Sequence, residues 1–153
     1  MKIQWKKLIA SVLIPLGVGG LSALLTGKGM EAFETLRQPP LSPPAWLFPV
    51  VWTLLYIMMG TAFYLVWASG SLGGSDLAAY SGQLFLNFFW SIWFFGFKLY
   101  LFAFVWLALL WLVIAATAVL FARKVKTAGW LLLPYLLWAA FAGYLNYGVY
   151  LLN

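Results

Sequence analysis

The chain has 153 residues, of which 65% are hydrophobic and 8% are charged, whereas a soluble domain carries about 25% charged residues. Its formal net charge is +6, but the nine Lys and Arg residues are scattered over short loops and ends, which argues against nucleic acid as a partner. The sequence has no Cys and no His, so disulfides and the usual ligands of zinc and haem iron are excluded. We therefore predict an all-α membrane protein, a single bundle of five transmembrane helices.

Carboxylates are equally scarce in this sequence. Glu31, Glu34 and Asp76 are the three acidic residues, and all of them are predicted to lie in loops. This leaves no carboxylate pair for general acid and base catalysis. The residue types thus disfavour hydrolytic and metal-dependent chemistry, and they predict neither a metal site nor a required cofactor.

The first apolar run covers residues 8–26 and follows three lysines near the amino terminus. A cleaved signal peptide is the alternative interpretation, but no Ala-x-Ala site closes the run. Residues 27–44 form the longest predicted loop, within which residues 30–36 are predicted to form a short amphipathic helix that ends before Pro39. We interpret this loop as a possible lid.

The remaining apolar runs alternate with short turns. Residues 68–77 are rich in Gly and Ser and predict a turn, whereas Arg123, Lys124 and Lys126 predict a basic one. A junction almost without a loop, at residue 98, forces its two helices to be antiparallel neighbours. The four further predicted spans are residues 45–67, 78–97, 99–122 and 128–152.

The distribution of Lys and Arg predicts the orientation of the bundle. In the predicted topology, six of these residues lie on the amino-terminal side, and three, Lys28, Arg37 and Lys98, lie on the other. Because cytoplasmic loops carry the excess of basic residues, we predict a multi-pass protein of a bacterial membrane with a cytoplasmic amino terminus.

Polar residues within the apolar runs are the best indicators of a site, since they are costly in hydrocarbon unless they find partners. Gln83 and Asn87 lie four residues apart on one face of the third predicted span, and Trp90 continues that face. The alternative is that the two amides only join helices. Asn146, near the end of the last span, is interpreted as structural.

Ten tryptophans are unusual in so short a chain, and several of them lie too deep in the spans for the interfacial belt that Trp commonly forms. Lipid-facing packing is the alternative for these deep indoles. A mostly apolar pocket with a few polar groups is typical of small-molecule sites. Five residues are predicted to line such a flat aromatic cavity between helices: Trp52, Tyr56, Asn87, Trp90 and Trp138.

Three sequence motifs in the same order resemble those of the tryptophan-rich sensory protein or translocator protein (TspO/MBR) family. The first runs through the loop and second span, with Gln38-Pro39, Ser42-Pro43-Pro44, Trp46, Val51-Trp52 and Leu55-Tyr56. The second is YSGQLFLNFFWSIWFFG, residues 80–96, and the third is LLLPYLLWAAFAGYLNYGVY, residues 131–150. The resemblance extends from about residue 36 to the end of the chain.

This resemblance implies a five-helix bundle, often a homodimer, that binds porphyrins (tetrapyrroles) and other flat apolar small molecules, with sterols as ligands of animal members. Membrane lipid is the surrounding partner, and a protoporphyrin-like ring is the expected ligand. The resemblance transfers ligand contacts to Trp52, Asn87, Trp90, Trp138, Ala142 and Leu145, with Tyr56 and Phe102 as weaker candidates.

The sequence departs from the family pattern at three places. Leu41 stands where many members have Trp, Trp106 stands where some members have an acidic residue, and Tyr147 lacks the basic residue that follows it in the sterol-type pattern. We expect a binding protein that acts as sensor, scavenger or carrier. The alternatives are a passive transporter, a structural or partner-regulating subunit, and a light- and oxygen-dependent porphyrin-degrading enzyme in which Trp52 and Trp138 would be catalytic.

Overall fold

The computed structural model describes residues 2–27 and 29–153, and every regular element among them is helical, as predicted. A π-helical turn, Ile92–Gly96, continues the fourth helix directly. In chain order the helices are α1 (Trp5–Leu25), α2 (Gly29–Glu34), α3 (Leu47–Ala68), α4 (Gly74–Ser91), α5 (Tyr100–Lys124) and α6 (Lys126–Leu152).

Four of the described helices, α1, α3, α5 and α6, are long and apolar enough to cross a membrane. About 20 residues at 1.5 Å per residue are needed for such a crossing. Helix α4 is not among the four, since Asp76, Gln83 and Asn87 lie within its 18 residues. All three side chains are buried inside the bundle. The membrane architecture thus rests on four spans, and the fifth crossing stays a prediction.

The long helices form a ring in the order α1, α3, α6, α5, α4. Sequential helices of the ring run antiparallel, whereas α1 and α4 run parallel, with Ser22 near the end of α1 donating to the Phe88 carbonyl near the end of α4. The Lys7 ammonium lies 5.1 Å from the ring centre of Trp67, which joins the start of α1 to the end of α3. At the same end of the bundle, Lys124 Nζ lies 3.8 Å from Asp76 Oδ2 and joins the end of α5 to the start of α4.

Helix α1 approaches α3 very closely at Gly60. A Cβ atom on Gly60 would lie 2.5 Å from the carbonyl oxygen of Ser11 and 2.6 Å from the Cα atom of Val12. In lipid, helices associate through van der Waals packing, and small residues permit the backbones to meet. This contact makes α1 an integral wall of the ring.

Helix α4 begins four residues before the predicted span, at Gly74. The Asp76 carboxylate accepts a hydrogen bond of 2.8 Å from the Gly73 N–H, which satisfies a donor at the helix start. The prediction that residues 68–77 form a turn throughout is therefore wrong, and Asp76 lies in a buried first helical turn rather than in a loop. Gly and Ser are typical of turns, so their presence predicted a turn where the helix in fact begins.

The segment between α2 and α3, residues 35–46, is called the strap, and it is attached to α6. Arg37 N–H donates to Asn153 Oδ1 at 3.2 Å, and Asn153 Nδ2 donates back to the Arg37 carbonyl at 2.9 Å. The Tyr144 hydroxyl donates to the Pro40 carbonyl at 2.6 Å. Gly148 leaves room for the Pro39 ring, which a Cβ atom at this position would overlap.

Two tryptophans that lie deep in the spans, Trp106 and Trp111, join neighbouring helices. The Trp106 indole donates to the Leu86 carbonyl at 2.7 Å, and the Trp111 indole donates to the Leu136 carbonyl at 3.1 Å. Backbone carbonyls can accept a second hydrogen bond without disturbing the helix ladder. These indoles therefore fix the spacing of α4, α5 and α6.

Candidate ligand-binding site

A cavity of about 630 Å³ lies inside the ring, near the end of the bundle that carries α2. This volume falls within the range of about 300–1,000 Å³ that is usual for small-molecule sites. Helices α1, α3 and α6, the short helix α2 and the end of α4 with its π-helical turn form the walls, whereas α5 contributes none of the lining residues.

The α1 wall of the cavity consists of residues with small side chains. Gly19, Gly20, Ser22 and Ala23 line it within one helical turn. A Cβ atom on Gly19 would overlap the Tyr56 ring, whereas one on Gly20 would meet no atom within 4 Å. Gly19 therefore lets the Tyr56 ring pack against α1, and Gly20 leaves open space beside this contact for a flat ligand.

Aromatic rings form the opposite wall. The Trp52 ring stacks on Tyr56 with centroids 5.8 Å apart, and it lies 6.2 Å from the ring of Trp90. Trp90 in turn stacks on Phe94 at 5.5 Å. Such offset and tilted arrangements are the preferred geometries of aromatic pairs. The cavity thus presents extended apolar faces on which a flat ring can lie.

Helix α2 covers the cavity at the end of the bundle through Phe33. This ring is buried against Phe48, Phe94 and Phe95, with centroid distances of 5.6, 5.9 and 5.8 Å. Gly29 permits the start of α2 to lie on Phe95, whose Cβ atom a side chain at Gly29 would overlap. The helix is therefore placed where the sequence predicts a lid.

A chain of buried hydrogen bonds runs beneath the aromatic wall and joins three helices. The Tyr56 hydroxyl bonds to Asn87 Oδ1 at 2.9 Å, and Asn87 Nδ2 bonds to the Tyr135 hydroxyl at 2.7 Å. Tyr135 donates to Gln83 Oε1 at 2.8 Å, and Gln83 Nε2 reaches Met59 Sδ at 3.3 Å. This polar chain, defined by these five residues, contacts the cavity through Tyr56.

Five of the eight predicted ligand contacts lie on the cavity wall. These are Trp52 and Tyr56 of α3, Trp90 of α4, and Ala142 and Leu145 of α6. Asn87 lies behind Tyr56 and does not line the cavity, so its place agrees with the alternative that the amides join helices. Asn146, interpreted as structural, bonds both Trp90 and the Tyr100 carbonyl and also lines the cavity.

Two predicted residues lie away from the wall. Trp138 packs against Phe48 at 6.0 Å and Phe141 at 5.5 Å, and it is not among the residues that line the cavity. Phe102 of α5 is 48% exposed and packs edge-on against Trp93 at 5.3 Å. The structure therefore places Trp138 outside the cavity lining and Phe102 on the outer surface.

Three features of the site are not predicted by the sequence pattern: the α1 wall, the rim residue Glu34 and the buried hydroxyl of Tyr135. Adjacent glycines within an apolar span, Gly19 and Gly20, are a signal of close helix approach that could have indicated the wall. Tyr135 gave no such signal because Tyr in a span near a basic turn is also typical of the membrane interface.

A larger groove of about 730 Å³ lies on the outer face of α5 and α6. It is lined by Phe104, Trp111, Tyr144 and Tyr147 among others, and none of the eight predicted contacts lies in it. An apolar groove on this face is what lipid chains fill in any helix bundle. The interior cavity is therefore the better candidate site.

Comparison with known proteins agrees with the three motifs. The sequence model of the TspO/MBR family matches residues 11–152. The chain is 42% identical to the tryptophan-rich protein TspO of Chlorobaculum tepidum over 142 residues, which cover 90% of each chain. It is 39% identical to the tryptophan-rich protein TspO of Archaeoglobus fulgidus, over 96% of this chain and 97% of that one. The translocator protein of Bos taurus is 38% identical, over 96% of this chain and 90% of its own length.

Proposed function

Because the chain belongs to the TspO/MBR family and is an integral membrane protein, we propose that it binds porphyrins and similar flat apolar ligands in the interior cavity. The protein then acts as a sensor, scavenger or carrier of such ligands. The family match confirms the resemblance that the three motifs indicate. The class of ligand is what we propose in addition.

The observation that carries this proposal is the shape and lining of the cavity. Trp52 and Trp90 offer rings on one side, Gly20 of α1 leaves open space on the other, and Tyr56 closes the cavity where it packs on Gly19. A slot between a flat aromatic wall and a bare helix fits a planar ring better than a branched or spherical ligand, since stacking requires contact over the whole face.

Topology is part of the same proposal. We infer that α4 is the fifth crossing, because α3 and α5, on either side of it in the chain, are both long and apolar enough to cross and both end at the same end of the bundle. The six basic residues of the amino-terminal side then face the cytoplasm, as the excess of Lys and Arg requires. Homodimer formation, which the resemblance implies, stays a prediction.

Filling the slot tests the binding site. In a Gly20→Leu variant the added side chain enters open space on the cavity wall, so the fold is retained while the ligand loses room. We expect the Kd for protoporphyrin, measured by quenching of Trp fluorescence, to rise about tenfold or more, which corresponds to roughly 1.4 kcal/mol of lost binding energy.

Gly17→Leu is the matched control for this variant. Gly17 lies on the same helix, a Cβ atom on it also meets no atom within 4 Å, and it does not line the cavity. The Gly17→Leu protein should bind protoporphyrin as the unmutated protein does. Equal affinities of the two variants would place the ligand elsewhere, with the outer groove as the next site to test.

The lid interpretation leads to a kinetic prediction. Phe33→Ala removes the ring that α2 inserts between Phe48, Phe94 and Phe95, and it thereby loosens the cover. We expect the dissociation rate of protoporphyrin in stopped-flow measurements to rise about tenfold, with a smaller change in the association rate. Glu31→Ala on the same short helix is the control, and a slower association with unchanged dissociation would contradict a closing role.

A further inference from the structure

Most of the cavity wall is shielded from the surroundings of the bundle. No described lining residue of α4, its π-helical turn or α6 is exposed, and five of them are buried: Trp90, Phe94, Ala142, Leu145 and Asn146. At the α2 end, the buried rings of Phe33 and Phe48 pack edge-on at 5.6 Å. These parts of the wall therefore offer a ligand no opening.

The exposed part of the lining within the long helices lies at one joint of the ring. It consists of Gly20 and Ala23 of α1 and Pro49 and Thr53 of α3. Helices α1 and α3 are neighbours in the ring. The cavity therefore opens sideways between these two helices, and we call the opening defined by these four residues the mouth.

The packing of α1 on α3 explains the position of the mouth. Toward the opposite end of the bundle from α2, the two backbones meet at Gly60, and at Gly19 the Tyr56 ring fills the joint. Beyond Gly19, the antiparallel register brings the residues of the mouth to the same level of the joint. Their side chains are short, and a Cβ atom on Gly20 would meet no atom within 4 Å. The joint is thus sealed up to Gly19 and open beyond it.

The mouth faces lipid rather than water. Gly20 lies five residues before the end of α1 and Thr53 six residues after the start of α3, so both lie roughly 8–9 Å inside the helix ends at 1.5 Å per residue. One leaflet contributes about 15 Å of hydrocarbon. The exposed large side chains that flank the mouth are apolar: Leu21, Leu24, Val50 and Leu54. Acyl chains of the leaflet at the α2 end therefore surround it.

From this geometry we infer that flat apolar ligands enter and leave the cavity sideways through the mouth, directly from the leaflet at the α2 end. The inference rests on the proposed function and adds the phase from which the ligand is taken. A flat apolar ring dissolves in the bilayer, and passage between two helices keeps its faces out of water throughout.

The alternative entrance is the rim at the α2 end, where Gly27, Glu34 and Trp46 are exposed lining residues. A ligand that used the rim would leave the hydrocarbon and pass beside α2, which Phe33 anchors among three other rings. Passage through the mouth requires neither step, so the two routes differ in their dependence on α2.

A bulky side chain in the mouth tests the lateral route. Thr53→Trp places an indole at an exposed residue of the mouth, so the buried core is not disturbed. An obstacle in a passage raises the barrier for entry and exit alike. We expect the association and dissociation rate constants of protoporphyrin to fall together by roughly tenfold, with little change in Kd. Stopped-flow porphyrin fluorescence of the protein in nanodiscs measures both rates.

Leu54→Trp is the matched control for this variant. Leu54 is the next residue of α3, is 55% exposed and does not line the cavity, so this protein should exchange protoporphyrin as fast as the unmutated one. Ala23→Trp narrows the mouth from α1 and should slow exchange as Thr53→Trp does. Circular dichroism spectra like that of the unmutated protein show that the variants are folded.

The outcomes distinguish this inference from the proposed function. Unchanged rates in both mouth variants, or equal slowing by Leu54→Trp, would overturn the inference and leave the proposed function standing. Faster dissociation of Thr53→Trp with unchanged association would overturn it too, because residue 53 would then act on the bound ligand. If Phe33→Ala accelerated association as strongly as dissociation, the entrance would be the rim. Failure of the unmutated protein to bind protoporphyrin would overturn both the proposed function and the inference.

Discussion

The Gly60→Ala variant is expected to lose about 3 kcal/mol of stability, because its methyl group would collide with the backbone of α1. The colliding atoms are the Ser11 carbonyl oxygen and the Val12 Cα atom, at 2.5 and 2.6 Å from the new Cβ. These are backbone atoms of a helix, and they cannot move aside as the end of a flexible side chain can. Helix α1 must therefore move away from α3, and the cavity loses its bare wall.

Gly17→Ala is the control for this variant, since Gly17 is a helical glycine of α1 with open space around it. Alanine is favoured over glycine in helices by up to about 1 kcal/mol, so this variant should be as stable as the unmutated protein or slightly more stable. Stability is measured by denaturation with sodium dodecyl sulfate, followed by circular dichroism. Equal midpoints for the Gly60 and Gly17 variants would contradict the close approach of α1 and α3.

The Tyr135→Phe variant is expected to lose about 1–3 kcal/mol, because it leaves two buried groups of the polar chain without partners. The ring remains, so no cavity forms, but the Asn87 NH₂ group loses its acceptor and Gln83 Oε1 loses its donor. The same denaturation assay measures the effect. We also expect weaker binding of protoporphyrin, since Tyr56 is held in place through Asn87.

Tyr80→Phe offers a matched comparison with Tyr135→Phe. Tyr80 is also a buried tyrosine, stacked on Phe63 at 4.7 Å, but its hydroxyl has no hydrogen-bond partner among the described residues. Removal of an unsatisfied buried hydroxyl should leave stability unchanged or raise it. If Tyr80→Phe lost as much stability as Tyr135→Phe, the hydrogen bonds of the polar chain would make no specific contribution to stability.

Helical periodicity predicted one face of α4 well. Gln83, Asn87 and Trp90 are buried on the same side of the helix, as their spacing requires. The partners of these residues, Met59 and Tyr135, could not be predicted, because they come from α3 and α6 and depend on the order of helices in the ring. Periodicity gives the face of a helix, whereas its neighbours are decided by packing among all helices.

The cavity was predicted less completely than the helices. Polar and aromatic side chains indicate a site in a sequence, but the α1 wall contains Gly19 and Gly20, which have no side chain. Phe102 was implied by family resemblance, yet α5 contributes no residue to the wall. Trp138 faces Phe48, a contact that no spacing rule between α3 and α6 could supply.

The attachment of the strap to α6 has a thermodynamic consequence for binding. A free segment of this length would be ordered when a ligand arrives, and the lost backbone entropy of about 1–2 kcal/mol per residue would weaken the complex. The Asn153 amide and the Tyr144 hydroxyl fix residues 37–40 through hydrogen bonds within the chain itself. A ligand that enters the cavity therefore does not have to order these residues, and this part of the entropic cost of binding is absent.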